Sequence, residues 1–215
     1  MKKEKQSRSI RMFHQVRELM ESNLGKWQSI PEIVKTYDSF VKHLKKLLDL
    51  KPDLEMDLKS LKEEWEEKRI TLVSKTFPIG NILLVYAEDH SKKSHPAFGI
   101  NRDQMNAMKN KELIKTAELI YRKAFKYHES GLESYGLTDS MMTELDEALR
   151  QSRYAFKMRS DMLSIRKKTL RESGMHFKAI LDLLDGRMDK LMSVFSGTHP
   201  SFYNAYVQTR KIRAL

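Results

Sequence analysis

Ile33-Val34-Lys35-Thr36-Tyr37-Asp38-Ser39-Phe40-Val41-Lys42-His43-Leu44-Lys45-Lys46-Leu47-Leu48 is the stretch on which the fold turns. Its apolar residues Ile33, Val34, Tyr37, Phe40, Val41, Leu44, Leu47 and Leu48 recur at steps of one and three, which places all of them on one face of an α-helix. Ser29 with Pro31 marks the start, and Pro52 stops the pattern just past Leu50. Upstream, Ile10, Phe13, Val16, Leu19 and Met20 form a comparable stripe that fades near Gly25, where a helix can turn. The two segments predict an αα-hairpin.

The same stripe returns later in the chain. Sliding the sequence by 108 residues brings Glu21-Ser22-x-Leu24 over Glu129-Ser130-x-Leu132. Between residues 12 and 54, 15 of the 18 apolar positions then meet apolar residues of the 120–162 stretch, where chance would give about 7 or 8. Phe13 pairs with Tyr121, Trp27 with Tyr135, Val34 with Met142, Val41 with Leu149 and Leu48 with Phe156. Further on, Leu72, Val73, Leu83 and Leu84 meet Ile180, Leu181, Leu191 and Met192, and Pro78 faces Gly186. Ser94-His95-Pro96-Ala97-Phe98 matches Thr198-His199-Pro200-Ser201-Phe202 at a shift of 104, as if four residues had been inserted around Glu88 to Ser91.

These matches predict an all-α fold: an elongated, pseudo-twofold bundle of two diverged three-helix copies. The domain reading is 1–98 for the first repeat, 99–111 for a linker with one short helix, and 112–215 for the second repeat with a C-terminal helix; one merged bundle is the variant. Each copy holds a first helix (9–25 and 110–135), a second (30–51 and 138–158) and a longer third. Pro78 should kink or break the third helix of the first copy. An unbroken 160–196 helix would reach roughly 55 Å at about 1.5 Å per residue. The first eight residues have no composition that calls for docking.

Composition agrees with helix and closes off several functions. Gly 8 and Pro 5 are scarce and Met 13 is plentiful among 215 residues. The absence of Cys excludes disulfides, Cys-based zinc sites and cysteine nucleophiles. The longest apolar run, Ile82 to Ala87, is short of the roughly 20 residues a bilayer needs, and no signal peptide is read at the start. A soluble, cytoplasmic protein with no membrane partner is the expectation. A net charge of +11 attracts polyanions or acidic proteins without naming one.

Catalytic motifs are missing. No G-x-G-x-x-G, P-loop, G-x-S-x-G or H-E-x-x-H occurs, and none of the seven His has Glu three positions before it, as a di-metal bundle would require. Glu172 and His176, at i and i+4, share a helical face and supply two metal ligands, half a site. Glu88-Asp89-His90 with His95 is a second conceivable cluster; in both, solvated side chains are the preferred reading. The paired His-Pro motif reads first as structure, with Ser94 or Thr198 capping and Phe98 or Phe202 packing, and second as a twofold-related site at His95 and His199. Phe202, Tyr203 and Tyr206 read as a terminal helix docking. Met141, Met142, Met158, Met162, Met188 and Met192 read as core filling.

Charge is the most suggestive feature. Residues 53–67 carry Asp53, Glu55, Asp57, Glu63, Glu64, Glu66 and Glu67 against Lys59 and Lys62, whereas 150–171 carry Arg150, Arg153, Lys157, Arg159, Arg166, Lys167, Lys168 and Arg171 against Asp161. Arg150, Arg153 and Lys157, at i, i+3 and i+7, form a candidate basic interaction face with Arg166, Lys167, Lys168 and Arg171. It suits an acidic protein, a nucleic acid or, through the acidic 53–67 and basic 150–171 segments, a homodimer.

Residues 79–213 resemble a type of uncharacterised bacterial all-helical protein. The likeness lies in Tyr135-Gly136-Leu137-Thr138, in Leu181, Leu184 and Asp185, and in Pro200-x-Phe202-Tyr203-x-x-Tyr206-x-x-x-Arg210-x-Ile212. In such chains position 209 is more often Ala than the Thr209 found here. The resemblance implies an all-helical fold and carries no activity. The expectation is therefore a non-catalytic helical interaction or scaffold protein without cofactor, with nucleic-acid binding through the 150–171 stripe plus Lys2, Lys3, Lys5, Arg210, Lys211 and Arg213 as the first alternative. A metal-binding bundle using Glu172 and His176 is the second.

Overall fold

A computed structural model describes residues 3–54, 57–90 and 94–211. Most of these are helical, and no strand occurs among them. Seven helices longer than one turn follow in order: α1 Lys3–Glu21, α2 Pro31–Asp49, α3 Leu58–Asp89, α4 Arg102–Ala107, α5 Asn110–Tyr127, α6 Asp139–Leu183 and α7 Pro200–Lys211. Short helical turns join several of them.

The chain forms two compact units, one from Met1–Met56 with Arg166–Leu215, the other from Asp57–Ile165. The unit boundaries fall at 56/57 and 165/166 rather than between residues 98 and 112, where the sequence reading expected a linker. The first packs α1, α2, the last part of α6 with the turns after it, and α7. Its core holds Phe13, Val16, Ile33, Phe40, Leu44, Phe177, Ile180, Met188 and Phe202. The second packs α3, α4, α5 and the first part of α6 around Trp65, Leu72, Leu83, Phe98, Leu113, Ile120, Leu145 and Leu149. The stretch expected as a linker lies inside this unit, where α4 buries Met105.

The apolar stripe of α2 is the buried face that its spacing requires, with Ile33, Tyr37, Phe40, Leu44 and Leu47 all inside. Pro31 opens the helix as its first residue, since its missing N–H has no partner there in any case. Ser29 does not cap it; Ile30 occupies that position without a side-chain bond. α1 ends at Glu21 rather than near residue 25, and Trp27, in the next turn, donates from Nε1 to the Met20 carbonyl at 2.8 Å. It also begins at Lys3, so helix covers most of the eight residues expected to stay undocked.

Pro78 does not break the third helix. α3 continues through it to Asp89, burying Ile79, Gly80, Leu83, Tyr86 and Ala87 beyond it. A proline inside a helix costs about 3 kcal/mol, whereas each large apolar side chain buried returns about 1.5–3 kcal/mol, so packing wins. Asp57 caps the start, accepting from Lys59 N at 2.9 Å and Ser60 N at 3.2 Å. By length and composition an 18-residue window of this helix is apolar enough to cross a bilayer, and 44% of that window is buried within the protein.

The expected break near residue 159 is also absent. Nothing between Lys157 and Lys168 is Gly or Pro, and a Lys157–Asp161 pair at 3.5 Å spans the expected joint. The helix expected over 160–196 instead widens into a π-turn at Leu184–Met188, which carries both Leu184 and Met188 into the core. Between α5 and α6 the chain turns at Gly131 (φ 98°) and Gly136 (φ 89°), conformations open to glycine. Thr138 Oγ1 then accepts from Met141 N at 3.2 Å to start α6.

Candidate functional site

Arg150, Arg153 and Lys157 share one face of α6, and each meets a carboxylate. Arg150 Nη2 lies 2.9 Å from Glu147 Oε2, and its Nε lies 3.4 Å from Asp146 Oδ2. Arg153 reaches Glu118 Oε1 on α5 from Nε at 2.9 Å and Nη2 at 2.8 Å. The sequence window that looked uncompensated began at Arg150, which left out Asp146 and Glu147, and Glu118 is remote in sequence. Lys168 Nζ stands 3.9 Å from Glu172, while Lys167 and Arg171 are exposed and Arg166 half-buried. Arg150, Arg153 and Lys157 belong to the second unit, and Arg166, Lys167, Lys168 and Arg171 to the first. In the acidic stretch Lys59 pairs with Glu63 at 3.5 Å and Lys68 with Glu67 at 3.1 Å. Lys2, Glu55, Ile212 and Arg213 lie outside the described residues, as do the side chains of Lys3 and Lys5.

The expected Glu172 and His176 do share a face of α6, but His176 finds a partner the sequence did not suggest. Its Nδ1 is 2.9 Å from His43 Nδ1 on α2, with the rings tilted by 50°. Burial holds the His43 pKa below the usual imidazole value, and His176, Lys46 and Lys42 push it the same way. In the other candidate cluster, His90 Nδ1 lies 3.0 Å from the Tyr86 carbonyl, and Asp89 accepts from Tyr135 OH at 2.8 Å. Among the described residues, no three His, Asp or Glu side chains gather closely enough to hold a metal ion.

At the two His-Pro motifs the packing half of the structural reading stands: Phe98 and Phe202 are both buried. The capping half is different. His95 Nδ1, not Ser94, accepts from Ala97 N at 3.1 Å, and Thr198 Oγ1 donates back to the Val194 carbonyl at 3.3 Å. Pro200 starts α7, whereas Pro96 lies in a turn and its helix waits for Asn101, whose side chain makes a capping box with Gln104.

Two arginines have partners that the sequence reading did not foresee. Arg210 of α7 forks onto Asp189, Nε to Oδ1 at 2.8 Å and Nη2 to Oδ2 at 2.9 Å, and also contacts Asp185. Tyr206 donates to the same Asp189 at 2.5 Å; burial, then Asp189, raises its pKa far above that of a free phenol. Arg69 of α3 donates to the carbonyls of Met105 (3.3 Å), Asn106 (2.7 Å) and Met108 (2.8 Å) and to Asn110 Oδ1 (3.0 Å), closing the C-terminal end of α4. Tyr206, Arg210 and Asp185 are among the residues that carry the resemblance noted above, and here they hold α7 in place.

No protein family, curated protein or solved structure matches this chain. The second unit presents two open grooves. One, of about 580 Å³, is lined by Tyr121, Phe125, His128, Asp139, Met142 and Asp146. Phe125 at its mouth is 69% exposed, and His128 Nε2 lies 3.1 Å from Asp139 Oδ1, off the line of a hydrogen bond. The other runs along α5 past Lys109, Lys111, Lys115 and Arg122, with Glu112 and Glu118 among them.

Proposed function

We propose that this protein is a non-catalytic helical interaction module, and that its partner is a protein surface seated at the α5–α6 groove of the second unit. Its chemically conspicuous side chains are taken up in holding helices together: Arg69 by carbonyls, Arg210 by carboxylates, His95 by a backbone amide. The observation that carries the reading is the concave α5–α6 groove lined by Tyr121, Phe125 and Met142, where Phe125 stacks on Tyr121 and is 69% exposed, the aromatic and Met lining that interfaces favour. A pull-down with intact wild-type protein beside Phe125→Glu and an Arg150/Arg153/Lys157 charge-reversed variant tests it. A partner lost with the first and retained with the second supports the reading; capture that ignores Phe125 ends it.

The two units are further proposed to descend from one doubled three-helix element. Burial register supports this, since at a shift of 108 both members of Met12/Ile120, Val16/Ala124, Phe40/Ala148, Leu47/Ala155, Trp65/Ser173 and Leu72/Ile180 are buried. On that reading each unit joins the first two helices of one copy to the third helix of the other. Experimental coordinates whose α1–α2 and α5–α6 hairpins fail to superpose in this register would refute it.

Nucleic-acid binding is the second reading, favoured by Lys109, Lys111, Lys115 and Arg122 along one groove more than by the carboxylate-matched Arg150 face. It requires duplex or single-strand affinity that weakens steeply with salt and drops on Lys111→Glu and Lys115→Glu.

A further inference from the structure

His43 and His176 approach each other from opposite ends of the sequence, on α2 and α6 of the first unit, with Nδ1 atoms 2.9 Å apart. Two neutral imidazoles at that distance share one proton: one nitrogen donates it and the other accepts. With both rings protonated at Nε2 instead, the two Nδ1 lone pairs are the donor set of a metal ion. At a metal–nitrogen bond of about 2.0–2.1 Å, two ligands at a right angle stand about 2.9 Å apart, whereas a tetrahedral pair stands about 3.3 Å apart. The observed separation therefore fits neighbouring positions of a square-planar or octahedral ion, the geometry of Cu²⁺ and Ni²⁺ with imidazole.

We propose that His43 and His176 bind one Cu²⁺ or Ni²⁺ ion through their Nδ1 atoms. Burial, His176 and the nearby Lys42 and Lys46 disfavour the imidazolium form of His43, which leaves its lone pair available at neutral pH. Glu172 stands one turn before His176 on the same face of α6, half-buried and 3.9 Å from Lys168 Nζ. The histidines are the protein's two ligands, since among the described residues no third His, Asp or Glu stands close enough to join them, and water completes the coordination. Binding shifts the hydrogen-bonded proton from Nδ1 to Nε2 of the same ring, so both rings stay neutral, and acid competes with the ion by protonating the Nδ1 atoms.

The test is titration of the intact chain with CuCl₂ and NiCl₂, read by d–d absorbance and calorimetry at pH 7.5 and 5.5. A one-to-one complex with a dissociation constant below about 100 µM is expected at pH 7.5, weakening about tenfold or more at pH 5.5 as protons reclaim the imidazoles. His43→Gln and His176→Gln each lower the affinity about tenfold or more, and the double variant binds no worse than the weaker single, because the two act as one site. His199→Gln leaves binding unchanged. Circular dichroism of each metal-free variant separates loss of the site from loss of the fold. Absence of one-to-one binding in the wild type, or folded His43→Gln and His176→Gln variants that bind as the wild type does, would overturn the proposal.

Discussion

Arg210 and Asp189 form a two-pronged ion pair, with the arginine side chain only 11% exposed, and this pair fastens the last helix to the turn that follows α6. Removing one partner of such a pair strands the other. Arg210→Ala should cost about 2–4 kcal/mol, and at about 2–4 °C per kcal/mol for a chain of this size the melting temperature should fall by roughly 4–16 °C. Arg210→Lys should recover only part of the loss, since an ammonium cannot fork onto both carboxylate oxygens. Thermal melts of the three proteins check this.

Arg69 makes a second prediction. Its guanidinium satisfies three carbonyls and an amide oxygen near the end of α4, so Arg69→Met leaves buried acceptors open at a cost of about 2–4 kcal/mol. Hydrogen exchange should accelerate first in residues 102–108, before the rest of the second unit. Uniform acceleration across the unit would instead mean that Arg69 supports its core as a whole.

The histidine pair sets a pH dependence. Because the folded-state pKa of His43 lies below its unfolded value of 6.5, the unfolded chain binds the extra proton more readily. The stability this contact contributes is complete above about pH 6.5, and it is lost as pH falls from there through the depressed folded value. Lys42 and Lys46 add to the repulsion once the ring is charged, while Glu172 lies on the facing helix. Urea midpoints at pH 7.5 and 5.0 should separate more for the wild type than for His43→Gln.

Two glycines separate backbone strain from crowding. Gly136 has φ 89° with open space where a Cβ would go, so Gly136→Ala should cost about 1–2 kcal/mol from conformation alone. Gly174, within α6 and equally unobstructed, should gain about 0.5–1 kcal/mol on replacement by Ala. Chemical denaturation of both variants measures the contrast directly.

The helices were legible because their information is local. Ile33 through Leu48 specify a buried face at helical spacing and Pro31 a first turn, and each stands where the sequence put it. The candidate basic face was legible only by half. The cations were visible in Arg150, Arg153 and Lys157, but the partner of Arg153 comes from α5, and no window along the chain can contain it.

What the sequence alone determined is therefore the all-helical character and which side of each helix is apolar, since both follow from residue spacing and propensity over a few turns. The tertiary structure alone decided that α3, next in sequence after α2, packs in the other unit. It also decided that α6 runs unbroken past residue 159, and that His43 meets His176 across 133 residues. An apolar face states that it must be covered, but not by which of several equally apolar faces. That choice falls to the complementary volumes and the few polar contacts that only the folded chain brings together.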